Sequence, residues 1–130
     1  MKADHFAFRV SDMDAAIAFY TDKLGLKLMF RELDEGHHEA FAFLELDGGN
    51  LELLQMLDES NRPIPRDYPA PAPPYTPHLA IETENLDALA DALRTKGIAI
   101  LKGPLEIPGQ VRWLYLSDPD NNVLEFVQWL

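Results

Sequence analysis

Two stretches of this chain resemble each other closely enough to predict an internal repeat. The segment HFAFRVSDMDAAIAFYTDK, from His5, aligns with HLAIETENLDALADALRTK, from His78, at an offset of 73 residues. At the same offset, LDGGNLELLQM lies over PDNNVLEFVQW. A repeat of this size in a chain of 130 residues indicates two copies of one supersecondary unit within a single domain, residues 1–130.

Each copy begins with a strand-like alternation and continues with an apolar stripe at helical spacing. The first helix is expected to begin with a capping box at Ser11 and Asp14 and to stop at Gly25, while the second stops at Gly97. Three strands follow in each copy, at 26–32, 39–46 and 50–57 and then at 98–102, 111–117 and 123–129. The predicted fold class is therefore α+β, with two βαβββ modules.

A connector separates module 1, residues 1–57, from module 2, residues 78–130. Residues 58–77 hold seven of the ten prolines, which predicts a semi-extended segment without regular elements. Within module 1, His37 and His38 have no histidine at the repeat offset, which favours an exposed hairpin tip for both.

The composition excludes several classes of function. A formal net charge of −11 argues against nucleic acid as a partner, since phosphates would be repelled. No apolar run of about 18 residues is present to span a membrane, and the first residues enter a strand pattern at once. The absence of cysteine excludes disulfides and thiolate chemistry. We therefore expect a cytoplasmic protein that acts on a small molecule.

One glutamate in each module lies in a strand whose two faces both look apolar. Glu125 stands between Leu124 and Phe126, and Glu52 is its counterpart at the repeat offset. A buried carboxylate is costly unless it is paired, protonated or bound to a metal, whereas an edge strand would leave it solvated. The repeat also supplies two equivalent histidines, His5 and His78.

These four side chains form the candidate metal site. If the modules pack about a two-fold axis, the two imidazoles and two carboxylates can converge on one divalent ion and leave open positions. Such a donor set suits Ni²⁺, Co²⁺, Zn²⁺, Mn²⁺ or Fe²⁺ better than Ca²⁺ or Mg²⁺. Residues on the same strand faces as the glutamates are candidates for an apolar substrate pocket, although core packing explains them equally well: Leu54, Met56, Val127 and Trp129.

The segments HFAFRVSDMDAAIAFYTDKLGLKL, PHLAIETENLDALADALRTKG and LYLSDPDNNVLEF resemble the vicinal oxygen chelate superfamily, which includes glyoxalase I, extradiol dioxygenases and bleomycin-resistance proteins. The resemblance implies a cupped mixed sheet of two βαβββ modules around one metal. It places the metal ligands at His5, Glu52, His78 and Glu125, a set most like that of glyoxalase I.

By the same resemblance, Arg9 is similar to an arginine that helps to hold the glutathione carboxylate, while a plain ion pair with a nearby acid is the alternative. Two segments that contact glutathione in the family differ here. Leu-Leu-Gln-Met-Leu follows Glu52, and IPGQVRW stands where a lysine-glycine pair is common. The use of glutathione therefore stays open.

The resemblance implies a lyase or isomerase that moves a proton next to a carbonyl through a metal-stabilised enediolate, with Glu125 or Glu52 as the catalytic base. An extradiol-type dioxygenase is an alternative within the enzymes. A drug-binding protein of the bleomycin-resistance kind is an alternative outside them, and the charge of −11 fits a cationic ligand.

The proline-rich connector bears on assembly. Its twenty residues, at about 3 Å each, could extend roughly 60 Å, enough to reach a neighbouring subunit. A single module can bury only a modest core and needs a partner sheet. We therefore expect a homodimer whose sites each combine module 1 of one chain with module 2 of the other. Pairing within one chain is the alternative.

Overall fold

The computed structural model describes all 130 residues, and it divides into two compact units, Met1–Tyr68 and Pro69–Leu130. The first unit contains a helix, α1, that continues into a π-helical turn, Phe19–Lys23. The elements of this unit, in chain order, are β1 His5–Arg9, α1 Met13–Ala18, β2 Lys27–Asp34, β3 Glu39–Glu45 and β4 Asn50–Met56.

The second unit repeats this order of elements. They are β5 His78–Glu82, α2 Leu86–Thr95, β6 Ile100–Ile107, β7 Val111–Ser117 and β8 Val123–Trp129. The strand orders are β1-β4-β3-β2 and β5-β8-β7-β6. In each sheet the first and last strands of the module are parallel neighbours, and the other pairs are antiparallel. The predicted α+β class with two βαβββ modules is confirmed.

Alternation along the strands decides which face of each sheet is buried. On β4, Leu51, Leu53 and Gln55 are buried, whereas Glu52 and Leu54 on the opposite face are only half-buried. Helix α1 covers the buried face of its own sheet with Ala16, and Tyr20 in the π-helical turn is also fully buried. Fully buried residues of the second unit include Leu86, Leu93, Leu114, Leu116 and Leu124. Burying each of these side chains contributes about 1.5–3 kcal/mol.

The expected capping box at Ser11 is wrong, because the N-cap is Asp12, one residue later. Asp12 has an extended backbone and its carboxylate accepts from the Ala15 amide at 3.0 Å. Asn85 caps α2 in the same way through the Ala88 amide. The glycine stops are confirmed, since Gly25 and Gly97 have φ angles of 76° and 74°.

A pair of repeat-equivalent glutamines ties each helix start to its sheet. Gln55 donates from Nε2 to the Ser11 carbonyl at 2.7 Å. Gln128 accepts at Oε1 from the Leu86 amide at 3.0 Å. The amide of Leu86 is a free donor at the start of α2 and needs such a partner, whereas in module 1 the glutamine holds the residue before the N-cap.

The predicted bounds of β7 and β8 agree with the structure, whereas the prediction for β6 is wrong. Residues 98–102 were expected, and the strand runs from Ile100 to Ile107. It passes through Gly103 and Pro104, which normally end a strand. An edge position tolerates the proline. Gly103, with φ 109°, lies so close to β7 that an added Cβ would come within 2.9 Å of the Trp113 carbonyl oxygen.

The connector contains no helix, and its only pairing is an isolated bridge between Leu57 and Pro63. In the turn before β3, His37 is exposed as expected. His38 is half-buried instead, because its Nδ1 atom lies 2.7 Å from the side-chain oxygen of Asn61. None of the helices is both long enough and apolar enough to cross a membrane.

Candidate metal and substrate site

The first histidine–glutamate pair lies on the two parallel strands of the first unit. His5 opens β1, and the strand register places Ala7, on the same face as His5, beside Glu52 of β4. Both side chains therefore project from the face opposite the buried Leu51 and Leu53. The His5 Nε2 atom lies 3.8 Å from Glu52 Oε1.

The other ring nitrogen of His5 faces a carboxylate. His5 Nδ1 donates to Asp4 Oδ2 at 2.6 Å, because an ionised carboxylate can only accept. This hydrogen bond is the main reason why the pKa of His5 is raised. When the neutral ring carries its proton on Nδ1, Nε2 is free to bind a cation beside Glu52.

The second pair has the same placement and a shorter separation. His78 opens β5, and Ala80 lies beside Glu125 of β8. The His78 Nε2 atom is 2.8 Å from Glu125 Oε2. Its Nδ1 atom donates to the backbone carbonyl of Tyr75 at 2.8 Å, because a carbonyl oxygen can only accept. His78 therefore also keeps a proton on Nδ1 and directs Nε2 to the carboxylate.

The surroundings explain why an apolar strand tolerates each glutamate. The side chains of Glu52 and Glu125 are each only 16% exposed. Each lies between two buried neighbours and faces an imidazole of its own module. A carboxylate in this position needs a proton or a cation beside it.

The donor set fits a divalent transition metal. Each module offers one imidazole nitrogen and one carboxylate at an N–O separation of 3.8 or 2.8 Å. Neighbouring ligands of one ion, each bound at about 2.0–2.2 Å, lie roughly 3 Å apart. Neither unit by itself contains a group of three or more histidine, aspartate and glutamate side chains that could hold a metal. The convergence of both pairs on one ion stays a prediction.

The residues predicted for substrate binding lie on the faces of the glutamates. Leu54 and Val127 are half-buried, and Met56 and Trp129 are exposed by 38% and 65%. Arg9, at the end of β1, is exposed and lies beside Leu54. These positions are compatible with a pocket wall, and their contact with a substrate stays a prediction.

An aromatic cluster that was not predicted from the sequence lies beside the first pair. Phe43 lies beside Glu52 in the strand register, and its ring meets His5 edge-on at 5.2 Å. Phe30 stacks on Phe43 at 4.9 Å, and Phe41 packs edge-on against both. The spacing of Phe41 and Phe43 on β3 is a signal that could have revealed this cluster.

A different aromatic group lies beside the second pair. Tyr115 is the cross-strand neighbour of Glu125, and its ring meets His78 at 5.5 Å and Tyr75 at 5.0 Å. Burial raises the pKa of Tyr115, and the negative charge of Glu125 adds to this shift. No alternation in the connector points to Tyr75, so only the structure reveals its position.

The fold and the paired donors agree with a family assignment. A family model described as the Glyoxalase/Bleomycin resistance protein/Dioxygenase superfamily matches residues 2–126. The chain belongs to this superfamily.

Individual relatives are distant. A lactoylglutathione lyase of Arabidopsis thaliana is 28% identical over 95% of this chain, which spans only 43% of that protein. A 2-epi-5-epi-valiolone epimerase of Actinomyces sp. is 30% identical over 95% of this chain and 76% of its own length. The solved glyoxylase/bleomycin resistance protein/dioxygenase domain from Frankia sp. EAN1pec is 25% identical. It superposes with a TM-score of 0.78 over 100% of this chain and 98% of that one.

Proposed function

We propose that this protein is a metal-dependent lyase or isomerase of the glyoxalase I type that moves a proton next to a carbonyl group of a small molecule. One observation carries the proposal. Two repeat-equivalent histidine–glutamate pairs each direct Nε2 toward a carboxylate, while Nδ1 is held by an outer acceptor. Histidine ligands of metals are usually oriented by an outer partner of this kind.

In the proposed site, His5, Glu52, His78 and Glu125 would hold one divalent ion. When bound, a divalent ion acts as a Lewis acid that offsets negative charge developing on two neighbouring oxygens. Nickel, cobalt, zinc, manganese and iron all suit these donors.

The protein's own groups perform the proton transfer. One carboxylate, Glu125 or Glu52, takes the proton from the carbon next to the carbonyl and returns it to the neighbouring carbon. The two histidines stay fixed, because their Nδ1 protons are held by Asp4 and by the Tyr75 carbonyl. The aromatic rings beside each pair exclude water and so strengthen the electrostatic interactions of the carboxylates.

The proposed chemistry limits the substrate class. An α-hydroxycarbonyl presents the two adjacent oxygens and the acidic carbon that this chemistry requires. A thiol adduct of a 2-oxoaldehyde is the substrate favoured by the relatives named lactoylglutathione lyase. The epimerase relative is compatible with the same proton transfer on another small molecule. Arg9, Leu54, Met56, Val127 and Trp129 are the proposed substrate contacts.

Conservative substitutions of the two glutamates test the proposal. Metal analysis of the purified protein should find one ion per chain, and a methylglyoxal–glutathione assay with Ni²⁺, Co²⁺, Mn²⁺ and Zn²⁺ should show turnover. Glu125→Gln and Glu52→Gln should differ, because only one carboxylate acts as the base. The variant that lacks the base should keep metal but lose about 10²–10⁴-fold in kcat. The other variant should mainly bind metal more weakly.

A substitution at an exposed position outside the candidate site is the matched control. Gln110 is exposed and lies in the turn between β6 and β7, so Gln110→Glu should change neither metal content nor turnover. Wild-type protein that takes up no divalent metal would contradict the proposal. Equal loss of metal and of activity in both glutamine variants would contradict a distinct base.

Non-catalytic binding of a small cationic molecule is the second candidate. The charge of −11 and the exposed rings of Phe30 and Trp129 favour it. Under this alternative the protein binds an aromatic cation without metal, and His5→Ala with His78→Ala leaves that binding unchanged.

A further inference from the structure

The last turn of the connector ends in an unfavourable backbone conformation. Tyr75 has a φ angle of 59°, in the left-handed region that bulky L-residues rarely adopt. Its amide donates to the Ala72 carbonyl at 2.9 Å, which closes the turn. Strain of this kind persists only where the surroundings enforce it, and it is concentrated at functional sites.

Packing against the second sheet holds Tyr75 in place. Its ring lies 5.0 Å from that of Tyr115, at an angle of 34°. Tyr115 in turn lies beside Glu125 in the strand register and meets the His78 ring edge-on. The strained turn is therefore anchored to the side chains that surround the second histidine–glutamate pair.

The backbone carbonyl of Tyr75 has a specific partner. It accepts the proton of His78 Nδ1 at 2.8 Å, while His78 Nε2 faces Glu125. A return of Tyr75 to an ordinary φ would rotate the adjoining peptide planes and move this carbonyl. Module 1 has no such turn, since Lys2 stands at the repeat-equivalent position and His5 uses the adjacent Asp4 instead.

We infer that Tyr75 is a positioning residue whose left-handed backbone places its carbonyl against His78 Nδ1 and so turns Nε2 toward Glu125. The inference rests on the proposed function where it treats His78 as a metal ligand. The hydrogen bond from His78 Nδ1 to the Tyr75 carbonyl orients the ring in the metal-free protein as well.

The test compares substitutions that differ in their tolerance of positive φ. Tyr75→Gly keeps the amide and adopts this φ readily, whereas Tyr75→Pro cannot adopt it and lacks the amide. Tyr75→Val keeps the amide but is strained there, which provides a second variant if the proline variant does not fold. The readout is the hydrogen bond of the His78 Nδ1 proton, measured by ¹H–¹⁵N NMR of metal-free protein as the exchange of that proton with water, together with Zn²⁺ affinity.

Wild type and Tyr75→Gly should show a slowly exchanging proton on His78 Nδ1. In Tyr75→Pro and Tyr75→Val this proton should exchange faster, because the carbonyl that accepts it has moved, and the Zn²⁺ affinity should fall about 10–100-fold. Asn61→Pro is the matched control. Asn61 also has a positive φ, of 58°, and its amide also closes a turn within the connector, onto the Asp58 carbonyl. This control should leave the exchange of the His78 Nδ1 proton unchanged.

An unchanged exchange rate of the His78 Nδ1 proton in folded Tyr75→Pro or Tyr75→Val would overturn the inference. Faster exchange in Tyr75→Gly would also overturn it, because the ring rather than the backbone would then position His78. Failure of the proposed function has a different signature. Wild-type protein would then bind no Zn²⁺, while the exchange measurement would still decide the role of Tyr75.

Discussion

The two modules present the same donors on the same strands but hold them in different ways. In both, histidine opens the first strand and glutamate is the third residue of the last strand. The register is also the same, since Ala7 lies beside Glu52 and Ala80 beside Glu125. Repetition of the sequence has therefore preserved the parts that place nitrogen and oxygen side by side.

The outer partners of the two histidines are not preserved. His5 donates to the Asp4 carboxylate, while His78 donates to the Tyr75 carbonyl. A carboxylate partner adds negative charge that a carbonyl lacks, and the pKa of His5 is raised accordingly. His78 is less exposed than His5, 21% against 38%, and lies closer to its glutamate. The histidine and glutamate of module 2 are thus closer together and their histidine is more buried than in module 1.

Ion pairs at the helix starts differ in the same manner. Asp14 and Asp87 occupy equivalent positions in the first turns of the two helices. Arg31 of β2 meets Asp14 through one nitrogen, whereas Arg112 of β7 binds Asp87 through two, at 2.8 and 2.9 Å. The aspartate is therefore repeated in both modules, whereas the arginine that pairs with it lies on β2 in one module and on β7 in the other. The repeat preserves the order of elements but not the side-chain contacts around it.

The largest expected effect tests whether each site combines module 1 of one chain with module 2 of another. His5→Ala removes a donor from module 1, and His78→Ala removes one from module 2, so each homodimer should lose metal binding and activity. If sites combine modules of two chains, a mixed dimer of the two variants has one intact site and should recover about half of the wild-type activity. Mixtures with verified mixed dimers that recover nothing would contradict the exchanged arrangement.

Loss of the repeated glutamines should have a smaller effect. Gln55→Ala leaves the Ser11 carbonyl without its side-chain partner, and Gln128→Ala does the same to the Leu86 amide. Each should lower the free energy of unfolding by about 1–3 kcal/mol, with Gln55 the more costly because it is only 5% exposed. Urea denaturation measures both, with exposed Gln110→Ala as the control. Equal, negligible effects would show that these contacts do not hold the helices.

The smallest effect concerns a pair that only module 1 has. The hydrogen bond between His37 and Asp34 raises the pKa of His37 above 6.5 and lowers that of Asp34 below 3.8. The His37 contribution to stability is complete below pH 6.5 and is lost as pH rises through the raised pKa. The Asp34 contribution is complete above pH 3.8 and is lost as pH falls through the lowered pKa.

An NMR titration of Asp34→Asn checks this pair. The pKa of His37 should return toward its ordinary value, because the carboxylate that favours the charged ring is gone. His38 contacts Asn61 instead, loses no partner in this variant and serves as the internal control. An unmoved His37 pKa would show that the Asp34 contact does not persist in solution.

Much of the fold was predictable because both modules follow simple periodic rules. The bounds of β7 and β8 were predicted correctly from alternation and turn residues alone. The prediction for β6 failed because Gly103 and Pro104 normally end a strand, while an edge strand pressed against its neighbour accommodates them. The N-cap was misplaced by one residue, since Ser11 and Asp12 are both good caps and only the backbone distinguishes them.

The sequence by itself determined the repeat, the two βαβββ modules and the side chains that each module offers. Period-two alternation places His5 and Glu52, and likewise His78 and Glu125, on fixed strand faces, so the residue order is sufficient to identify them. Only the tertiary structure decided which acceptor orients each histidine and which rings surround it. Those contacts join residues whose approach depends on strand pairing and on the path of the connector, and local periodicity carries no information about either.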